Sequence, residues 1–447
     1  MVRNPTPSGL LASVVLAAAI GAYSVSAGTA SASTPGQPAI GLYTGPADTK
    51  EHDQFSAWLG NEATYALDFV DDRQTWNNIA NYSDWLLDPW SAWVKAKDGR
   101  RMVVSVPLLN QDSSGKLAEG ARGDYDRYFR ALAQEMADKG LGNAVIRLGW
   151  EANGDWYPWK ASTDPGAWKA FYRRVVGVMR SVQPSVTGQP AQNFKFDLTY
   201  NLGTSGTAIK FDTIYPGDDV VDIIGLDVYD TKWMDDTLPP EERWNDVVNQ
   251  EMGLAGFKAF AASHGKPTSI PEWGLWERGH DDNGGVGDNP YFIDRMTDWF
   301  EANATGTPDI PGMLYQSYFN HLDGWTGEHT LSAYVNARIR YKARLGLPVP
   351  DPDTAAPAVA LTAPRKNSFV LRTVKVAATA SDNGGIAGVQ VKLSGNDLGA
   401  EDRYAPFELS WDTTKVRNGS YTITAVARDV AGNLTTSDSR TVTVRNP

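Results

Sequence analysis

One short stretch of the chain combines an acid with several aromatic rings. It reads RLGWEANGDWYPW, from Arg147 to Trp159, and it follows a short apolar run. The run is typical of a buried parallel strand, and Gly154 and Pro158 favour a loop after it. Glu151 would then stand at a strand end among rings, whose apolar faces can stack on sugars. Apolar surroundings raise the pKa of a carboxyl group, so Glu151 could hold a proton near neutral pH.

A structural explanation fits the same stretch. A salt-bridged glutamate beside core tryptophans would give the same pattern, because burial alone shifts the pKa of structural carboxyls too. A catalytic interpretation therefore needs a second acid at a comparable place. The segment KPTSIPEWGLWE, from Lys266 to Glu277, offers one in Glu272, again at the end of a short strand pattern and beside tryptophan.

Strand patterns alternate with helix patterns through most of the chain. The predicted strands are 39–43, 65–70, 101–109, 144–151, 194–202, 220–229, 267–273 and 313–319. The predicted helices are 54–59, 124–139, 164–182, 240–264, 291–303 and 331–345. Eight such repeats over about 300 residues predict an α/β fold of the (β/α)8 barrel type, with a doubly wound open sheet as the alternative. No G-x-G-x-x-G turn follows the first strand, which counts against dinucleotide binding.

In such a barrel the catalytic groups stand at the carboxyl ends of the strands. The fourth and seventh strands would deliver Glu151 and Glu272 to the same mouth. Two carboxyls about 5–5.5 Å apart are the geometry of a retaining glycosidase. The sixth strand ends in Asp227, Tyr229 and Asp230, and we expect these two aspartates to be caps or supporting acceptors rather than catalysts.

Three segments together resemble glycoside hydrolase family 26. They are RLGWEANGDWYPW, YPGDDVVDIIGLDVYD and KPTSIPEWGLWE, and the resemblance covers residues 38–346. It implies a retaining (β/α)8 glycosidase acting on β-mannan, mixed-linkage β-glucan or β-1,3-xylan. It also implies that Glu151 is the acid/base and that Glu272 is the nucleophile.

The resemblance further implies a set of residues around the two glutamates. Arg147 and Tyr229 would keep Glu272 ionised and oriented. Trp150 stands where the family usually has histidine, and this departure leaves the identity of the sugar open. The predicted substrate-binding residues are Arg147, Trp150, Asn153, Trp156, Tyr229, Trp276 and Tyr318.

Composition limits the other partners. There are 41 basic and 53 acidic residues, and the net charge of -12 argues against nucleic acid and anionic membrane surfaces. The absence of cysteine excludes disulfides and thiol chemistry. The five histidines are scattered, so we expect no metal and no cofactor, with calcium at Asp281 and Asp282 as an alternative. We expect a monomer whose partner is a β-linked polysaccharide.

The two ends of the chain have their own patterns. Residues 1–32 combine Arg3, an apolar run and the small residues Ala30-Ser31-Ala32, which predicts a secretory signal peptide and an extracellular protein without a membrane anchor. Residues 347–357 form a Pro-rich linker. Residues 358–447 show short β runs between turns, which predicts a sandwich. Through VRNGSYTITAVARDVAGN it resembles a bacterial immunoglobulin-like module, and we favour a spacer over a carbohydrate-binding role.

These expectations together describe a secreted retaining β-glycosidase that hydrolyses internal linkages of a polysaccharide, with β-1,4-mannan as the favoured substrate. The alternatives are a β-glucanase, a hydrolase of a bacterial exopolysaccharide and a sugar-binding barrel without catalysis. A transglycosylase would use the same residues but exclude water.

Overall fold

The computed structural model describes residues 37–447 except 205, 233–234, 281–283, 307–310, 325, 348–353, 383–384, 403–404, 430–431 and the side chains of 83 and 84. The predicted signal peptide and most of the predicted linker lie outside the described residues. No helix in the described part of the chain is both long enough and apolar enough to cross a bilayer.

Eight parallel strands close into a barrel in chain order. Each strand pairs with its neighbours in sequence, and the eighth pairs with the first, with Leu42 opposite Tyr318. The strands are β1 (Ala39–Tyr43), β2 (Tyr65–Phe69), β3 (Arg101–Val106), β4 (Val145–Leu148), β5 (Lys195–Asn201), β6 (Ile223–Asp230), β7 (Thr268–Leu275) and β8 (Met313–Phe319). Closure confirms the predicted barrel and excludes the open sheet.

Helices connect the strands. They are α1 (Thr49–Leu59), α2 (Trp76–Ala80), α3 (Asp88–Lys95), α4 (Leu117–Arg122), α5 (Asp126–Asp138), α6 (Pro165–Arg180), α7 (Phe211–Ile214), α8 (Pro240–Asn249), α9 (Leu254–Ser263), α10 (Pro290–Asn303) and α11 (Val335–Leu345). A π-helical turn at Ser83–Leu87 precedes α3. In α5 the buried residues Phe129, Leu132 and Met136 recur at helical spacing, so one face packs on the barrel.

The predicted helix over 240–264 is wrong. The chain forms α8 and α9 instead, and the corner between them contains Met252 in a left-handed conformation with φ 59°. A Cβ on Gly253 would lie 2.8 Å from the carbonyl oxygens of Val247 and Val248. Only glycine therefore allows the chain to turn so tightly after α8.

Side chains along each strand alternate between the barrel interior and the helix layer. A bulge on β7 interrupts this alternation. The pairing of β7 with β8 shifts between Ile270 and Trp273. Ser269 bonds to Asp197 inside the barrel, and Glu272 also contacts an interior residue although it lies three positions further on. On a regular strand, residues three positions apart point to opposite faces. Between Ile270 and Trp273, β7 has one residue more than β8, and this bulge turns Glu272 into the barrel and Trp273 onto the helix layer.

A hairpin, β9 (Leu322–Asp323) and β10 (Gly327–Glu328), follows the barrel strands, and a β-sandwich lies at the C-terminal end of the described chain. The sandwich strands are β11 (Ala358–Ala363), β12 (Phe369–Val370), β13 (Thr373–Ser381), β14 (Ile386–Leu393), β15 (Asn396–Asp397), β16 (Phe407–Asp412), β17 (Gly419–Asp429), β18 (Leu434–Thr436) and β19 (Arg440–Val444). One sheet has the order β11-β13-β16 and the other β12-β19-β17-β14-β15. Trp411 and Val376 are buried between them. The predicted all-β fold is confirmed.

Candidate active site

Glu272 enters the mouth of the barrel from β7 between two donors. Arg147 Nη1 lies 2.7 Å from its Oε1, and Tyr229 donates its hydroxyl to Oε2 at 3.0 Å. The side chain is 9% exposed, so one face remains open to the mouth. A carboxylate held by a cation and a phenol is fixed in orientation and suited to attack a carbon above it.

Arg147 is fully buried inside the barrel and is held from several strands. Its Nη2 donates to Asp227 Oδ2 at 2.6 Å, its Nη1 to Ser105 Oγ at 2.9 Å and its Nε to Thr199 Oγ1 at 3.2 Å. One guanidinium therefore joins β3, β4, β5 and β6 and presents its remaining contact to Glu272. Asp227, in the middle of β6, is a supporting acceptor, as the sequence led us to expect.

Glu151 follows β4 after a sharp change of backbone direction. The strand ends at Leu148 rather than at residue 151, and Gly149 and Glu151 both have left-handed conformations, with φ 57° and 52°. The Glu151 backbone N–H donates to Thr199 O at 2.9 Å, which fixes the turn on β5. A positive φ is uncommon for glutamate, so surrounding contacts must maintain this strained conformation.

Two side chains donate to the Glu151 carboxyl. Asn201 Nδ2 lies 2.7 Å from Oε1, and Trp156 Nε1 lies 3.1 Å from Oε2. Burial and, after it, the charge of Glu272 raise the pKa of Glu151 to about 7, against the opposing effects of Asn201, Arg147 and Trp156. The two carboxyls thus interact but have different surroundings, which is the arrangement that separates an acid from a nucleophile.

Asn153, a predicted substrate-binding residue, is fully buried and contacts another asparagine. Its Nδ2 donates to the carbonyls of Asn201 at 2.9 Å and Gly203 at 3.1 Å, and its Oδ1 accepts from Asn201 N at 2.8 Å. Asn153 therefore positions Asn201, and Asn201 positions Glu151. Asn201 was not predicted from the sequence, although its place at the carboxyl end of β5 was a usable signal.

Two other predicted substrate-binding residues are buried. Tyr318 is fully buried on the outer face of β8, where its ring packs on Trp273 at 5.1 Å and Tyr341 at 5.3 Å. The prediction failed because alternation points Phe319, not Tyr318, toward Tyr229. Trp150 is only 4% exposed, and its indole N–H donates to another side chain of the same loop.

Trp156 and Trp276 remain accessible beside the two carboxyls. Trp156 is 36% exposed. A Cβ on Gly154 would lie 2.4 Å from the Trp156 ring, so glycine at this place lets the indole reach Glu151. Trp276 is half-buried and packs edge-on against Tyr229 at 5.2 Å. The two rings therefore flank the acids, as an aromatic site for sugars requires.

The described residues contain no group of three or more His, Asp or Glu that could hold a metal ion. Asp281 and Asp282, the alternative calcium ligands, lie outside the described residues. The expectation of a site without metal or cofactor stays a prediction.

Residues 118–267 match the model of glycosyl hydrolase family 26. Residues 357–425 match the model named Bacterial Ig domain. Both resemblances drawn from the sequence are thereby confirmed. The family 26 match includes Glu151 and Tyr229 and ends five residues before Glu272. It supports the assignment of this chain as a glycoside hydrolase.

Two curated relatives carry related names. The chain is 25% identical over 221 residues to a mannan endo-1,4-beta-mannosidase of Bifidobacterium adolescentis, which covers 48% of this chain and 20% of the relative. It is 32% identical over 114 residues to endoglucanase H of Acetivibrio thermocellus, which covers 24% of this chain and 12% of the relative. The chain thus spans a fifth or less of the length of the curated relatives it matches.

The solved structures that this chain matches include an endo-beta-1,4-mannanase of Cellulomonas fimi, at 18% identity and a TM-score of 0.49 over 91% of this chain and 94% of that one. The YdhT protein of Bacillus subtilis is similar at 15% identity and a TM-score of 0.44, over 68% and 86% of the two chains.

Proposed function

We propose that this protein is a secreted endo-acting glycoside hydrolase that cleaves internal β-linkages of a polysaccharide with retention of configuration, and that β-1,4-mannan is its preferred substrate. The observation that carries the proposal is the contrast between the two carboxyls. Glu151 has a pKa raised to about 7 and accepts from neutral donors, whereas Glu272 is held by Arg147 and Tyr229.

In the first step the Glu272 carboxylate attacks the anomeric carbon. The glycosidic C–O bond breaks, and Glu151 gives its proton to the leaving oxygen, so that one part of the polysaccharide departs as an alcohol. The product is a glycosyl ester of Glu272. Arg147 and Tyr229 orient the attacking carboxylate.

In the second step water attacks the same carbon. Glu151, now ionised, takes a proton from that water, and the ester bond to Glu272 breaks to return the carboxylate. The charge of Glu272 is absent from the ester, and that charge is one cause of the raised pKa of Glu151. The pKa of Glu151 therefore falls between the two steps, as an acid that becomes a base requires.

The names of the two curated relatives support two candidate substrates. Similarity to a mannan endo-1,4-beta-mannosidase favours β-mannan, and similarity to endoglucanase H makes a β-glucan the second candidate. Trp150, in place of the family's usual histidine, keeps a bacterial exopolysaccharide in the substrate panel.

The test is release of reducing ends by the purified protein from galactomannan, glucomannan, mixed-linkage β-glucan, β-1,3-xylan and a bacterial exopolysaccharide. We expect activity on one of the first three, together with a rapid fall in viscosity that marks internal cleavage. Glu151→Gln should lower kcat by about 10²–10⁴. Product analysis separates hydrolysis from transfer to a second sugar.

Glu272→Ala is the decisive variant. With an activated aryl glycoside and azide, it should form a glycosyl azide of inverted configuration, because azide then takes the place of the missing carboxylate. Glu241→Gln, an exposed acid on α8, is the matched control and should behave as the native protein. Near-native turnover by Glu272→Ala would contradict the assignment of Glu272 as the nucleophile.

A further inference from the structure

The loop after β4 contains a second polar pair, formed by Trp150 and Tyr157. Trp150 Nε1 donates to the Tyr157 hydroxyl at 2.9 Å. An indole has one N–H and no acceptor, so Trp150 has no polar group left for a ligand. The position next to the acid/base is therefore occupied by a side chain that can contact a sugar only through its ring or through its partner.

The Tyr157 hydroxyl can still donate one hydrogen bond. A phenol donates one hydrogen bond and accepts others, and the bond from Trp150 uses an acceptor position. Among the described residues, no acceptor takes the Tyr157 proton. Burial and the nearby charges of Glu151 and Glu272 raise the pKa of Tyr157 well above its usual value, so the group stays a neutral donor. The Tyr157 ring lies beside that of Trp156, with centroids 6.3 Å apart, and Trp156 donates its indole N–H to Glu151 Oε2.

The ring that holds this hydroxyl is fixed. Tyr157 stacks on Trp159, with ring centroids 4.5 Å apart and planes 8° apart, and meets Trp150 edge-on at 5.0 Å. Trp159 is fully buried and donates to the backbone carbonyl of Trp150 at 2.9 Å. Tyr157 as a residue is half-buried, and its hydroxyl has a defined position before any substrate arrives, which limits the entropy lost on binding.

We propose that Tyr157 is a substrate-binding residue, whose hydroxyl donates to a ring hydroxyl of the sugar unit bound above Glu272 while Trp150 orients it. This rests on the proposed function and deepens it. The resulting contact gives the loop a direct role in selecting sugars by the direction of a hydroxyl, since a site built to donate to an OH group discriminates against a sugar that lacks it.

The test compares Tyr157→Phe, Trp150→Phe and the double variant with the native protein. The probe is unbranched β-1,4-mannohexaose, with β-1,4-glucohexaose and mixed-linkage oligosaccharides beside it. We expect Tyr157→Phe to lower kcat/KM about tenfold to a hundredfold on the oligosaccharide that the native protein cleaves. The ratio of activities on the manno- and gluco-oligosaccharides should also move toward one. Tyr421→Phe, a hydroxyl bonded within the sandwich, is the matched control.

The double variant separates binding from structure. Tyr157→Phe leaves the Trp150 N–H without its partner, and this alone could disturb the loop. If Tyr157 contacts the sugar, Tyr157→Phe should still cost about tenfold in the Trp150→Phe background, where that N–H no longer exists. Recovery of the double variant to the level of Trp150→Phe, or native kcat/KM in Tyr157→Phe, would overturn the proposal. A native protein inactive on the whole panel would instead reject the proposed function, and this inference with it.

Discussion

Asn201 Nδ2 donates to Glu151 Oε1 over 2.7 Å, and Asn153 holds the backbone of Asn201 with two hydrogen bonds and that of Gly203 with a third. This bond favours the ionised form of Glu151. Asn201→Ala should therefore raise the pKa of Glu151 further and move the alkaline limb of kcat/KM to higher pH. With orientation also lost, kcat should fall about tenfold or more.

Asn153→Ala should act in the same direction through Asn201, and it should also destabilise the barrel by about 1–3 kcal/mol because buried backbone groups lose their partner. Asn249→Ala, an exposed asparagine at the end of α8, is the control for both. A shift of the pH profile with Asn153→Ala but none with Asn201→Ala would contradict this order of action.

The pH dependence of the native protein follows from Glu151. The acid must be protonated to act, and its pKa is raised to about 7. Activity measured as kcat/KM should be retained below that pH and fall as pH rises through about 7, since kcat/KM reports the free enzyme.

A titration of Glu151 separates the causes of that pKa. In Glu272→Gln the neighbouring charge is removed, so the pKa of Glu151 should fall below its native value. Burial is the larger cause and remains, so the pKa should stay above that of an exposed glutamate. Carbon-detected NMR on both proteins measures this, and identical titrations would show that Glu272 carries no charge near Glu151.

The stability of the barrel should depend strongly on Arg147. Arg147→Ala leaves Asp227 and Glu272 buried without their cation, which should lower the free energy of unfolding by about 3–5 kcal/mol. Arg173→Ala breaks an ion pair with Asp219 at the surface, where the effect should be small. Denaturant unfolding followed by tryptophan fluorescence compares them, and equal losses would contradict the buried network.

The place of Gly154 under the Trp156 ring provides a sharper test of the loop. In Gly154→Ala the new methyl group would overlap the indole, so Trp156 must move away from Glu151. Turnover should fall about tenfold, because the acid loses a donor and the sugar a stacking ring.

Gly177→Ala is the control for that substitution. It lies in α6, where the new methyl group would have no atom within 4 Å apart from its own stretch of helix, and it should stabilise the protein by up to about 1 kcal/mol with unchanged turnover. Unchanged turnover in Gly154→Ala would show that Trp156 need not contact Glu151.

The sandwich should be unnecessary for chemistry on small substrates. Trp411 is 3% exposed in its core, and Trp411→Ala should cost the sandwich about 3–5 kcal/mol. Turnover of soluble oligosaccharides should stay native. A parallel loss of activity would show that the spacer interpretation is wrong.

Sequence alone was enough to predict the barrel and to single out Glu151 and Glu272, because strand patterns alternate with helix patterns and two of the strand patterns run into an acid beside tryptophan. In the structure Glu151 follows β4 by three residues, and Glu272 lies within β7. It could not decide which face of β8 looks inward, since MLYQSYF has aromatics on both, and Tyr318 was misassigned for that reason. The bulge on β7 that turns Glu272 inward could not be predicted, because no sequence pattern marks it. The contacts of Asn201 with Glu151, 50 positions away, and of Tyr157 with Trp150 depend on how the chain folds, so their partners could not be predicted from the sequence.

The left-handed backbone of Glu151 also bears on how such a protein could change over generations. A residue other than glycine pays about 1–2 kcal/mol for that conformation, and glycine or asparagine would relieve it. A lineage released from selection for turnover would therefore gain folding stability by discarding its acid. Inactive descendants of this barrel should carry glycine or asparagine at position 151 more often than alanine or valine.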